Sequence, residues 1–319
     1  MQPENTRKKR KKILAAVLLV LVLIAVGVYA YLAGFFGTAK VAQYDYTKLG
    51  VFFLDVGQGD AILLRAPDDR FMLIDAGPPK SDGALIKALG SYGVKKLEYL
   101  ILTHPDEDHI GGAVAVLDAL EVRTVLTGDA GAANKLWTDV IAKIDEKGCA
   151  FPQVSLGGSY DFFENCRFTV LGPVDGDSAA NTNDQSLVIR LDYGAVSCLF
   201  TGDAEKAEER AIIEYFGADA LRADLIKLGH HGSASSTSAE LLDAVRPIYA
   251  VASCGKDNAY GHPHASVLKA LENAGVEVYR TDKDGTVIFQ SDGKTIAPAV
   301  VDELTPFERL MDRIKHWFT

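Results

Sequence analysis

Two kinds of hydrophobic pattern divide the chain. The first is an unbroken apolar run, Ile13 to Phe36, that holds no charge and directly follows Arg7 to Lys12, RKKRKK. At about 1.5 Å per residue such a helix crosses a bilayer core of roughly 30 Å. The basic cluster predicts a cytoplasmic N-terminus and an exported body. Small residues at Ala25, Gly27 and Ala30 leave open a cleaved signal, which would give a secreted form, although an h-region usually runs only about 7 to 15 residues. The organisation expected is a cytoplasmic segment at 1–12, a transmembrane anchor at 13–36, a linker at 37–49 and one catalytic body at 50–299.

The second pattern, in the body, is a repeat. Ala61 to Arg65 and Phe71 to Asp75 are apolar runs around a turn at Pro67-Asp68-Asp69, and they read as a hairpin. Ser186 to Arg190 and Cys198 to Thr201 repeat the plan around Tyr193-Gly194, and Asp203 follows. After each hairpin comes a polar helical stretch, Leu85 to Tyr92 or Glu205 to Phe216. A strand ending in histidine then follows, Leu97 to His104 or Ala223 to His230. Two copies of one β-β-α-β unit are predicted, aligning Asp75 with Asp203 and His104 with His230. Packed sheet to sheet with helices outside, they give an α/β fold, a four-layer αββα sandwich.

Between the halves, Val122 to Leu126 and Phe168 to Leu171 read as strands and Ala133 to Lys147 as an amphipathic helix. Beyond them Ser238 to Val245 and Val267 to Ala274 read as helices, and Ile248 to Ser253 and Val276 to Tyr279 as strands. Thr286 to Gln290 and Lys294 to Ala297 form a last hairpin. In the tail, 300–319, Phe307, Leu310, Met311, Ile314 and Phe318 share a helical face that reads as docking on the body or on a partner surface. The sequence identifies no stable protein partner.

Composition narrows the chemistry. A hydrophobic content of 48% suffices for a sizeable core. The formal net charge is −10, and setting aside the basic N-terminal run leaves the body more acidic still. That argues against broad adhesion to nucleic acid through a basic face, although bound metals can supply positive potential locally. Cys149, Cys166, Cys198 and Cys254 form no C-x-x-C pair, so a cysteine zinc site is not expected.

The densest chemistry lies at LEYLILTHPDEDHIGG, Leu97 to Gly112. A buried strand stops at Thr103 and releases His104, Asp106, Asp108 and His109 from one loop. Imidazoles and carboxylates at that density call for a divalent cation such as Zn²⁺ or Mn²⁺. This motif resembles the signature of the metallo-β-lactamase superfamily, with Asp106 where a second histidine normally stands. With FLDVGQGDA at Phe53 to Ala61 and KLGHHGS at Lys227 to Ser233, it is similar to the C-terminal hydrolase domain of ComEC-type DNA-uptake competence proteins.

The resemblance, which covers roughly Gly50 to Ser291, implies a metallo-β-lactamase-like sandwich with a two-ion centre. His104, Asp106 and Asp203 would hold the first ion. Asp108, His109, Asp203 and one of the His230/His231 pair would hold the second, with His230 favoured by the repeat. The seven histidines leave none between His109 and His230, so the family's third-motif histidine is missing. Asn183 is carried over in its place, with Asp184 as the fallback. Asp75 is expected to orient the metal loop, and Gln58 and Asp60 to support it. The oxygen-rich first site suits Mn²⁺, or Mg²⁺, as well as Zn²⁺. Asp108 and His262 are the expected catalytic residues, with Ser233, Asn258 and His262 as the substrate-binding candidates. The expected activity is metal-dependent phosphodiester hydrolysis outside the cytoplasm, with DNA as the leading substrate. Envelope phosphodiesters such as teichoic-acid or phosphorylcholine linkages are the alternative, and a non-catalytic metal-binding module is the third reading.

Overall fold

The structure is a computed structural model that describes residues 41–42, 44–128, 134–174, 181–299 and 301–302. The anchor at 13–36 and the tail face from Phe307 to Phe318 lie outside them. Among the described residues no helix is long and apolar enough to cross a membrane. Contacts divide the chain into two units, one formed by residues 1–43 with 299–319 and the other by residues 44–298. In the first, β1 (Val41–Ala42) pairs antiparallel with β16 (Val301–Asp302).

The second unit holds two seven-stranded mixed sheets. In the first sheet β2 (Leu49–Phe53), β3 (Ile62–Arg65) and β4 (Phe71–Ile74) form an antiparallel run. The helix Asp82–Ser91 then carries the chain to β5 (Lys96–Leu102), parallel to β4, and β6 (Glu121–Thr127) lies parallel beyond it. The second sheet opens with β7 (Ser159–Phe163), β8 (Cys166–Gly172), β9 (Val188–Tyr193) and β10 (Val196–Phe200), all antiparallel. The parallel strands β11 (Leu225–Lys227), β12 (Tyr249–Ala252) and β13 (Glu277–Arg280) complete it. The chain then returns to the first sheet, where β14 (Val287–Ser291) pairs with β2 and with β15 (Ile296–Pro298). Leu49, assigned to the linker by sequence, is fully buried as the first residue of β2.

The four layers follow from what each face buries. Strands β2, β3 and β4 are buried at every position, because one face meets the opposite sheet and the other meets helices. Phe53, Phe168, Phe200 and Phe289 fill the space between the sheets. At about 1.5 to 3 kcal/mol for a fully buried large apolar side chain, this aromatic layer is a principal tie between the halves. Helices Asp82–Ser91, Ala113–Ala119 and Lys135–Lys147 cover the outside of the first sheet. Lys206–Phe216, Ala239–Val245 and Ala265–Asn273 cover the second. Strand β7 was not foreseen, since Ser159 to Phe163 alternates poorly and its first three residues are incompletely buried.

Candidate metal centre

The site forms where loops leave β4, β5, β10, β11 and β12. The β2–β3 loop packs against its back, and Gly59 shows why a glycine is needed there. Its φ is +139°, and a Cβ on it would lie 2.3 Å from the carbonyl oxygen of Asp108. That approach lets the Asp60 amide donate to the same carbonyl at 3.1 Å. After β5, Asp106 precedes a single helical turn, Glu107–Ile110, whose His109 and Ile110 amides donate back to its carbonyl. The turn sends Asp108 and His109 toward the opposite sheet. Gly112 then runs past the β4 loop, where a Cβ would sit 2.3 Å from the Ala76 carbonyl oxygen.

Two imidazoles converge on one carboxylate. His109 Nε2 is 3.2 Å from Asp203 Oδ1, and His231 Nε2 is 3.3 Å from Asp203 Oδ2. His231 Nε2 is also 3.1 Å from Asp108 Oδ2. Both rings are held from behind through their other nitrogen. His109 Nδ1 lies 2.7 Å from Asp75 Oδ2, and His231 Nδ1 lies 2.9 Å from the carbonyl of Ser253. Asp75 also accepts from the amide and hydroxyl of Thr103, both at 2.8 Å, so it contacts the loop from the rear. Fixing one ring nitrogen so that the other faces a cation is the usual support of a metal-holding histidine.

His104 is buried beside this pair, with its ring centroid 4.1 Å from that of His109. Its Nδ1 meets the hydroxyls of Thr103 at 3.1 Å and Ser186 at 3.2 Å. The Nε2 atoms of His104 and His109 are buried without a hydrogen-bond partner. His104 Nε2 lies 3.7 Å from Asp106 Oδ2. Orphaned imidazole nitrogens facing carboxylates are what a divalent cation would satisfy, so the residues fit a bound divalent metal ion.

The electrostatics agree. Burial works against a proton on His109 and on His231, yet Asp203 in particular raises both well above 6.5. Asp203 itself is buried, which alone would raise it, but the His109 and His231 charges hold it well below the carboxylate range. Asp108 is lowered in the same way, mainly by His231 against the effect of burial. His104 goes the other way, pushed down to about 3 by burial and by His109. The shifts of His109 and His231 favour positive charge at these rings, the sign of charge that a bound cation would supply.

His230 is placed differently from the expectation. His230 and His231 both have left-handed backbones, with φ of 48° and 56°, so the turn carries His231 inward, while His230 is partly exposed. His230 Nδ1 lies 3.1 Å from Glu205 Oε1, and its Nε2 is 3.9 Å from Asp203 Oδ2. Asn183 does not turn its amide to His104. The amide nitrogen lies 3.2 Å from Glu205 Oε1 and 3.3 Å from His230 Nδ1. Asp184 accepts from the Glu205 amide at 2.8 Å through Oδ1, and its Oδ2 lies 3.4 Å from the Asn181 amide nitrogen. Glu205 is the hub that sequence reasoning missed, taking hydrogen bonds from Ser235 at 2.7 Å and Asn181 at 3.0 Å as well. The one available signal was its position two residues after Asp203.

The predicted substrate residues separate. The Asn258 amide donates to the carbonyls of Gly255 at 2.9 Å and His262 at 2.7 Å, and its oxygen accepts from the His262 amide. Asn258 therefore braces the loop and has no amide hydrogen left for substrate. Ser233 shares its hydroxyl with Ser235 at 2.9 Å. His262 does reach the site, with ring centroids 5.4 Å from His230 and 6.1 Å from His231. Its Nδ1 is buried without a partner, and burial together with the neighbouring His231 pushes it down to about 4. The four cysteines are free thiols.

The Metallo-beta-lactamase superfamily model matches residues 54–256. The chain is 34% identical over 257 residues to ComE operon protein 3 of Bacillus subtilis (strain 168), an alignment covering 75% of this chain and 33% of that protein. It is 30% identical over 272 residues to competence protein ComA of Neisseria gonorrhoeae, covering 81% and 34%. The chain thus spans about a third of the length of these curated relatives. A solved mutant of CmlA beta-hydroxylase superposes with a TM-score of 0.50 at 12% identity, over 76% of this chain and 54% of that one, a likeness of fold alone.

Proposed function

The chain belongs to the metallo-β-lactamase superfamily of metal-dependent hydrolases and is related to competence proteins, and from that premise we propose that it cleaves phosphodiesters, with DNA as its substrate. The observation carrying this reading is the meeting of His109 Nε2 and His231 Nε2 at the two oxygens of Asp203, with Asp108 against His231 Nε2. Asp108, His109, Asp203 and His231 would hold one ion, and His104, Asp106 and Asp203 the other. Two such ions supply Lewis-acid polarisation of a phosphodiester and a water that is nucleophilic at neutral pH. Carboxylate at Asp106 favours a harder ion such as Mn²⁺ in the first position. His262 is uncharged at neutral pH and offers a hydrogen bond at the rim to a phosphate oxygen or the leaving group.

In this reading Ile13 to Phe36 anchors the protein with its body outside the cytoplasm. Protease added to intact cells is expected to degrade the body and spare the Arg7 to Lys12 end; a protected body would reverse the topology. The activity test uses the full chain in detergent, loaded with Mn²⁺ or Zn²⁺ and offered single-stranded DNA, teichoic acid and phosphorylcholine-bearing polymer. DNA cleavage that a chelator abolishes is the expected result. Envelope polymers are the second reading, which the same centre could cleave and an extracytoplasmic location would suit, and turnover of those alone would remove DNA as the substrate. Tight metal binding with no ester turned over would leave a binding module.

A further inference from the structure

Behind the metal centre a buried ion pair ties the two sheets together. Lys227 ends β11 in the second sheet, and Asp60 precedes β3 in the first. Lys227 Nζ lies 2.6 Å from Asp60 Oδ2, and both side chains are 1% exposed. The ammonium also donates to the carbonyls of Gly202 at 2.8 Å and Leu228 at 3.1 Å, and it lies 3.4 Å from Asp203 Oδ1. Taking two charges out of water costs several kcal/mol per ion, a cost that an apolar pair of similar volume would avoid. Cross-sheet packing alone is therefore a poor reason for the pair.

Asp60 could be mistaken for a metal ligand, since Asp60, His109, Asp203 and His231 offer donor atoms within 4.8 Å of one another. Its position says otherwise. Asp60 Oδ1 is 3.4 Å from His231 Nδ1, and Oδ2 is 3.8 Å from His109 Nδ1. Those are the ring nitrogens at the rear, whereas Asp108 and Asp203 meet the Nε2 atoms. Asp60 Oδ1 is also buried with no hydrogen-bond partner. What stands between Asp60 and the front carboxylate is the Lys227 ammonium.

We propose that Lys227 is a built-in cation that withholds Asp60 from the metals, which makes Lys227 a positioning residue for that carboxylate. This rests on reading Asp203, His109 and His231 as metal-holding residues, and it does not depend on which ester is cleaved. Removing the ammonium frees a buried carboxylate beside the pocket, and that adds attraction for a divalent ion. Removing both charges takes the attraction away again. A pair that merely braced the fold would do the reverse, with every lesion loosening the metals.

The test is retention of Zn²⁺ by full-chain protein in detergent against a graded chelator, read by elemental analysis, with circular dichroism to confirm folding. Lys227→Met is expected to hold zinc against about tenfold more chelator than wild type, because a positive charge near the pocket is gone, and Asp60→Asn/Lys227→Met to fall back to the wild-type curve. Folded Lys227→Met with unchanged or weaker retention overturns the proposal. Should Lys227→Met not fold, Asp60→Asn/Lys227→Met decides alone: a wild-type zinc curve is expected, and a weaker one overturns the idea. Wild type that holds zinc but cleaves no DNA would remove the proposed function and leave this inference standing.

Discussion

The two halves of the sandwich use the same strand plan to put an aspartate in opposite places. In the first, Ile74 pairs with Ile101, Asp75 follows at once, and His104 lies three residues beyond the pair. In the second, Leu199 pairs with Ile226, and Asp203 and His230 each lie four residues on. Matched at their histidines, the strands place Thr201 rather than Asp203 opposite Asp75, and Thr201 bonds the Lys227 carbonyl. Asp75 thus stops behind the imidazole of His109, while two further residues carry Asp203 to the front. The strand ends diverge too, into a helical turn at Glu107–Ile110 and a left-handed turn at His230 and His231. One scaffold thereby supplies a brace on one side and a shared acceptor on the other.

The sharpest way to break this contrast is to remove each aspartate. Asp203→Ala should abolish activity and lose more than one metal equivalent by elemental analysis, whereas Asp75→Asn should lower metal affinity or activity by about 10 to 100-fold. Equal losses would erase the distinction between front and rear. Next, His231→Ala should lose a metal equivalent and His230→Ala should keep both; a loss at His230 would return it to the role that the repeat suggested. A smaller effect is expected from Asp106→His. It should shift the preference from Mn²⁺ toward Zn²⁺ when both proteins are stripped and refilled across a pH series, and identical preferences would take Asp106 out of the first ion's reach.

The smallest effect concerns acid. His104 and His262 are held below the ordinary value of 6.5, at about 3 and about 4. Each therefore contributes stability that is present above about 6.5 and lost as pH falls through those lowered values. His109 and His231 are raised, so their contribution is already complete below 6.5 and does not change in that window. Melting of the metal-free protein should fall between pH 6.5 and 4, and His262→Gln should flatten part of that fall. An unchanged slope would mean that His262 is not held uncharged.

Much of this was legible in the chain because it is local. Apolar runs such as Ile62 to Arg65 and Phe71 to Ile74 announce strands that are buried on both faces, and the HPDEDH loop brings its donors together within six positions. What was not legible depends on backbone direction or on partners far away in sequence. The repeat shows matching histidines, but only the left-handed turn decides that His231 faces inward. Glu205 reads as the polar start of a surface helix until Asn181, Asn183, His230 and Ser235 are seen to surround it. Asn258 looks like a substrate amide until its loop claims both hydrogens. The Asp60–Lys227 pair spans the two sheets, and no pattern within either motif predicts it.

The return of β14 to pair with β2 also bears on how the chain is made. Ser291 sits against Leu49 and Val287 against Phe53, so the sheet begun first is finished last, after the whole second sheet has been synthesised. A nascent chain halted before Val287 would present β2 as a bare strand edge, a template for pairing with other chains. Such non-local closure also slows folding. The repeated halves are therefore not separable modules, and cutting between them should yield two aggregating pieces instead of two small domains.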